Sequence, residues 1–275
     1  MGNSVPVRNL TLGEGLPKIC IPLTDTDFHS LNQSAHKLLR TPFDLVEWRA
    51  DFYAGFCSEE TRTEALRMLR DVLGDVPILF TIRTKEEGGQ ADISTDEYKA
   101  INLSVIKTGL ADLVDVELMK GDDVMMQLCT AAHSTPIHTQ SPFSHNAAGV
   151  STSANFKLTS VKIVGSRHDF AKTPPETEII ASLCKMQDLG ADVTKFAVMP
   201  TCERDVLTLL SATMTMKEHH NRTPVITMSM GTLGAFSRIC GSLTGSCVTF
   251  GTAGSASAPG QLPAEELKQF LEILQ

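Results

Sequence analysis

Residues 185–230 read KMQDLGADVTKFAVMPTCERDVLTLLSATMTMKEHHNRTPVITMSM, and the alternation inside this stretch decides the fold class. A helix-period segment ends near Leu189-Gly190. An apolar, β-branched run follows (195–199), then a second helix-period segment (204–218), then another apolar run (225–230). Strands that are apolar on nearly every residue are buried on both faces. When a helix joins them, they read as parallel strands of βαβ units. Working outward, the same pattern places further strands at 18–23, 45–51, 78–83, 113–118, 161–166 and 247–251. Helices are expected at 27–39, 58–72, 95–104, 175–189 and 263–274. Eight strands alternating with helices favour a closed (β/α)₈ TIM barrel over an open sheet. Residues 5–12 are expected to form a hairpin closing the barrel floor, and 1–275 to be one catalytic domain. No internal repeat is evident.

Composition narrows the function class. A 42% hydrophobic and 20% charged chain can bury a large core. The net charge of −8 argues against nucleic acid, whose phosphates require a basic footprint. No apolar stretch approaches a bilayer span, and MGNSVPVRNL at the start has no apolar signal core, so neither membrane nor export is expected. Pro6 stands where a myristoylation signal has Ser or Thr. The seven cysteines form no CxxC pair, so they read as scattered reduced thiols of a cytoplasmic protein. Neither a metal nor a cofactor is indicated.

One segment breaks the rhythm. Residues 134–160, STPIHTQSPFSHNAAGVSTSANFKLTS, carry Lys157 as their fixed charge and read as a long flexible surface insertion. A helix-to-strand connection lies on the barrel face opposite the active site, so the insertion is expected to be remote from chemistry.

In a barrel, polar residues at strand ends face the substrate. Here they are Glu47, Arg49 and Asp51 on strand two, Arg83 and then Glu87 after strand three, and Asp115 and Glu117 on strand four. His168 ends strand five, Lys195 lies in strand six, Arg238 follows strand seven, and Ser257 and Gln261 follow strand eight. Blander readings stand beside these. Glu47 and Arg49 could be an internal ion pair, His219-His220 is expected on solvated surface, and Lys120 and Lys172 are expected in solvated loops. Lys195 is different, because a lysine inside VTKFAVMP points into the barrel. Desolvation and neighbouring cations there favour the neutral amine that attacks a ketone. The structural alternative pairs it with Glu117 or Asp115.

Seven stretches together resemble the type I 3-dehydroquinate dehydratases of the shikimate pathway. They are LVEWRADF (45–52), FTIRTKEEGG (80–89), LVDVEL (113–118), GSRHDFAKTP (165–174), KMQDLGADVTKFAVMP (185–200), PVITMSMGTLGAFSR (224–238) and SAPGQLP (257–263). The resemblance implies a cofactor-free, cytoplasmic, homodimeric lyase that removes water from 3-dehydroquinate by syn elimination through a lysine Schiff base. It implies that Lys195 forms the imine, His168 moves the proton and Glu87 orients His168. It further implies that Arg238 clamps the substrate carboxylate while Ser257 and Gln261 sit on a loop that closes over it, and that Glu47, Arg49 and Arg83 hold the ring hydroxyls and set the field around Lys195. Met228, Met230, Phe170 and Phe250 would form apolar walls. Two departures stand out: Pro22, where a small polar residue is expected, and 252–255, which lacks lysines. The rival readings are a class I aldolase-like barrel and an inactive barrel retained for binding.

Overall fold

A computed structural model describes residues 4–138, 158–254 and 260–274. Eight strands build the barrel: β1 (Lys18–Leu23), β2 (Leu45–Arg49), β3 (Ile78–Thr81), β4 (Leu113–Glu117), β5 (Lys162–Asp169), β6 (Val193–Val198), β7 (Val225–Ser229) and β8 (Val248–Thr252). Neighbours pair in parallel, in the order β7-β6-β5-β4-β3-β2-β1-β8, with Leu262–Pro263 added beyond β8. The seam between β7 and β8 is joined by the Cys247 N–H, which donates to the Val225 carbonyl at 2.8 Å. Ser246 Oγ reinforces it by accepting from the Thr227 N–H at 3.0 Å. The sheet therefore closes, and the barrel expectation holds.

The helices are α1 (Phe28–Leu38), α2 (Glu59–Leu73), α3 (Thr95–Thr108), α4 (Asp122–Ser134), α5 (Glu176–Asp188), α6 (Glu203–His219), the single turn α7 (Gly241–Thr244) and α8 (Ala264–Ile273). Local chemistry sets several of their starts. Asp27 and Ser58 cap α1 and α2, and Ser94 with Glu97 forms a reciprocal capping box on α3. None of the described helices is long and apolar enough to cross a membrane.

Strand alternation divides the core. Outward residues such as Ile21, Val46, Trp48, Phe80 and Val116 pack on the helices. Inward residues at the strand starts (Leu45, Leu79, Leu113, Val164, Val193, Ile226, Val248) form an apolar lower barrel. Two short strands, Val5–Val7 and Leu10–Leu12, pair as a hairpin whose Val7 and Leu12 join that lower layer. The hairpin plugs the floor as expected. Arg8, at its turn with φ +51°, is held by Asp112 and Asp75.

Two expectations need correction. The insertion is not loop throughout: α4 runs to Ser134, and Pro136–His138 pairs antiparallel with Leu158–Ser160. Residues 139–157 lie outside the described part. The Lys120 side chain is not solvated: its Nζ lies 2.6 Å from Glu86 and beside the Tyr98 ring. Lys172 and His219 are exposed, as expected.

Candidate active site

Above the apolar layer, the barrel interior turns polar. Lys195 on β6 is 3% exposed, and its Nζ lies 3.4 Å from Glu47 Oε1 and 3.5 Å from Asp115 Oδ2. The Phe250 ring centroid is 4.6 Å away. The charges in contact with this amine are thus carboxylates rather than the expected cations. Of the two carboxylates named in the structural alternative, Asp115 reaches Lys195, while Glu117 turns to Arg83 at 2.8 Å.

Glu47 and Arg49 do not pair with each other. Glu47 accepts from Thr81 Oγ1 at 2.9 Å, whereas Arg49 forms a two-pronged bond to Asp51, 2.8 Å on each prong. Two positions apart, they share one face of β2; Glu47 reaches Lys195, and Arg49 sits at the strand end beside the Ala50–Phe52 turn. Arg83 meets Asp115 and Glu117 at 2.8 Å each, Ser166 at 3.1 Å and Glu87 at 3.5 Å. Burial works against its charge, but the Asp115, Glu117 and Glu87 carboxylates hold it well above its ordinary value. Against the upward push of burial, Arg83 and Lys195 hold the Asp115 carboxyl below the usual range.

His168 ends β5, and its Nδ1 lies 2.8 Å from Glu87 Oε2. Burial, then the charges of Arg83, Lys195 and Arg49, push its pKa well below the ordinary histidine value. Burial pushes the Glu87 carboxyl up to about 8, more than Arg83 pulls it down. Both shifts disfavour an imidazolium. With Nδ1 engaged by Glu87, Nε2 is the nitrogen left for a substrate. Glu87 sits on the turn after β3, where Gly88 (φ +78°) lies so near Phe170 that a Cβ would fall 2.4 Å from the ring. Glycine is required there by both backbone and space.

These groups line one cavity of about 210 Å³ at the carboxyl ends of the strands. Glu47, Arg49, Arg83, Glu87, His168, Arg238 and Gln261 border it, with Phe170, Met228, Met230 and Phe250 as the apolar walls. Lys195 does not line the cavity itself but contacts two of its lining residues, Glu47 and Phe250. Arg238 donates to the Phe250 carbonyl at 3.2 Å, and burial lowers its pKa to about 10. Gln261 is brought in by Gly260 (φ +76°), which packs so closely on the Gly231 carbonyl that a Cβ would lie 2.1 Å from its oxygen. Ser257 lies outside the described residues. Pro22 is half-buried beside Glu47 in the β1–β2 register and does not line the cavity. A larger cavity, about 330 Å³, opens between Gly13, Lys217 and Cys247, but Glu14 and Lys217 are the charged groups on its wall, so it lacks an acid–base set.

Sequence reasoning missed Phe52, Gln90 and Ala197 as lining residues, and gave Asp51 no task. Phe52 closes LVEWRADF, Ala197 lies inside KMQDLGADVTKFAVMP and Gln90 directly follows FTIRTKEEGG, so membership of these stretches was the signal that pointed to them.

The likeness to known proteins agrees with this geometry. The family model described as Type I 3-dehydroquinase matches residues 19–147 and 143–275. The 3-dehydroquinate dehydratase of Clostridioides difficile is 41% identical over 274 residues, covering 100% of this chain and 98% of that protein. The Bacillus licheniformis protein of the same name is 43% identical, with the same coverage. A crystal structure of the type I 3-dehydroquinate dehydratase from Clostridium difficile with covalently modified comenic acid superposes with a TM-score of 0.88 at 41% identity, over 100% of this chain and 98% of that one. With full-length coverage, identity above two-fifths and the same barrel, this chain belongs to the type I 3-dehydroquinase family.

Proposed function

We propose that the chain dehydrates 3-dehydroquinate to 3-dehydroshikimate through a covalent imine on Lys195. The Lys195 amine adds to the C3 ketone, and loss of water leaves a protonated imine. His168 Nε2 removes a proton from C2, and the electron pair flows into the imine to give an enamine. The enamine expels the C1 hydroxyl, which leaves as water with the proton His168 returns. Hydrolysis of the imine then frees Lys195, so the net change is loss of one water.

The surroundings favour these steps in physical terms. Glu47 and Asp115, within 3.4–3.5 Å of Nζ, stabilise the iminium cation in a low-dielectric interior. A neutral His168, oriented by Glu87, is ready to accept a proton. Arg238 offers a planar fork to the substrate carboxylate, and Gln261 borders the same cavity. Arg49 meets the ring hydroxyls, and Arg83, bound to three carboxylates, sets the field. The observation that carries this reading is the buried Lys195 amine in contact with Glu47 and Phe250, both on the wall of a cavity that the His168–Glu87 pair and Arg238 also border.

The test joins turnover to trapping. Purified protein given 3-dehydroquinate should generate the ultraviolet absorbance of dehydroshikimate. Borohydride should fix a substrate-sized mass on the peptide containing Lys195. His168→Ala should still trap that mass, while turnover falls by about 10²–10⁴-fold. A mass on another lysine, or none, would refute the imine. Absence of turnover in the unmodified chain would favour the binding-protein reading.

A further inference from the structure

Two buried carboxylates, Asp51 and Glu117, have no direct part in the proposed chemistry, and each grips one end of the turn that carries Glu87. At the near end, Glu117 accepts from the Thr84 N–H at 2.8 Å and from Thr84 Oγ1 at 2.6 Å, while also holding Arg83 at 2.8 Å. At the far end, Asp51 Oδ2 accepts from the Gln90 N–H at 3.0 Å while holding Arg49. Both side chains are 0% exposed. Between these anchors the turn is closed by the Gly89 N–H donating to the Thr84 carbonyl at 2.8 Å, and by Ala91 N–H donating to Arg83 at 3.1 Å.

Glu87 depends on this bracing. Its Oε2 meets His168 and, more distantly, Arg83, while its buried Oε1 finds no hydrogen-bond partner among the described residues. Side-chain bonds alone therefore do not fix the carboxyl, and the backbone of the turn must. Burying a carboxylate is costly unless its oxygens are well satisfied. Here each carboxylate is satisfied by one strand-end arginine and one end of the same turn.

We infer that Asp51 and Glu117 are positioning residues: they fix the Thr84–Gln90 backbone, and through it the Glu87–His168 bond. The inference rests on His168 being the proton shuttle. A misplacement of about 1 Å can cost on the order of a hundredfold in rate, so a loosened turn should be visible in kcat.

The experiment is a double-mutant cycle on the full chain. Glu117→Gln should lower kcat about tenfold or more, with KM within about threefold, and leave the borohydride adduct on Lys195. In a Glu87→Gln background the same change should cost less than about twofold, because its target is already lost. Thr84→Val, which removes one hydroxyl donor to Glu117, should show the same non-additivity in milder form. It decides the question if Glu117→Gln does not fold. Asp51→Asn should behave likewise in kcat. Equal losses in both backgrounds, or wild-type kcat in the single variants, would overturn the inference while the imine mechanism stood. A wild-type chain without turnover or adduct would instead sink the functional reading, and this one with it.

Discussion

Lys195 lies between Glu47 and Asp115, so removing it has two separable consequences. Lys195→Ala should abolish turnover, and retention of more than about a tenth of kcat, a loss of only ~1.4 kcal/mol, would exclude covalent catalysis by this residue. It should also lower unfolding stability at neutral pH by about 3 kcal/mol, because two buried carboxylates lose a shared cation. Urea unfolding followed by circular dichroism would measure this, and an unchanged midpoint would refute the electrostatic half. Glu87 provides a second residue-scale test. Its carboxyl is raised from 4.5 to about 8 by burial, so between those values the folded state holds a proton that the unfolded state has released. Its contribution to stability is therefore fully present below pH 4.5 and lost as pH rises through about 8. The stability of wild type minus Glu87→Gln should fall across that window. A difference that stays level or rises would contradict the assignment.

The barrel strands were legible because each is an uninterrupted β-branched run, as in β6 and β7. Their ends were less so. β2 and β3 stop at Arg49 and Thr81, before the positions periodicity suggested, because Asp51 and Arg83 are drawn into side-chain bonds at the barrel mouth. The ladder of Pro136–His138 with Leu158–Ser160 was not readable, since three-residue strands leave no periodicity among Ser, Thr and Pro. It leads into the start of β5, the floor end of the barrel, away from His168 at the other end of the same strand. Replacing residues 139–157 by Asn-Gly, a two-residue hairpin connection between His138 and Leu158, should leave kcat and KM within about threefold. A large fall in kcat at constant melting temperature would show that the insertion influences the site.

Across the whole molecule, stability and chemistry occupy opposite ends of one barrel. The floor is apolar and plugged by the hairpin, with Leu12 1% exposed among the strand-start residues. The mouth concentrates the charged groups around the cavity. A barrel tolerates this division because the charges of Lys195 and Arg83 at its mouth are offset by a network of buried carboxylates, while the lower layer and the helix-facing layer supply the hydrophobic burial. Leu12→Ala should therefore cost about 3 kcal/mol of stability while leaving kcat unchanged. Parallel loss of kcat in fully folded protein would mean that the plug also shapes the mouth.

The sequence by itself determined the alternation of strands and helices, the closed barrel, the hairpin under it and the family motifs, because these depend on local periodicity and on residue order. It also singled out Lys195, since a lysine inside an apolar strand has few places to go. Only the tertiary structure decided who partners whom. That Lys195 meets Glu47 and Asp115, and that Glu117 grips the Glu87 turn, are settled by how the strands pair around the closed barrel. This arrangement brings together side chains from strands far apart in sequence. A buried charge takes whichever opposite charge packing delivers, and packing is a property of the closed barrel, not of any one strand.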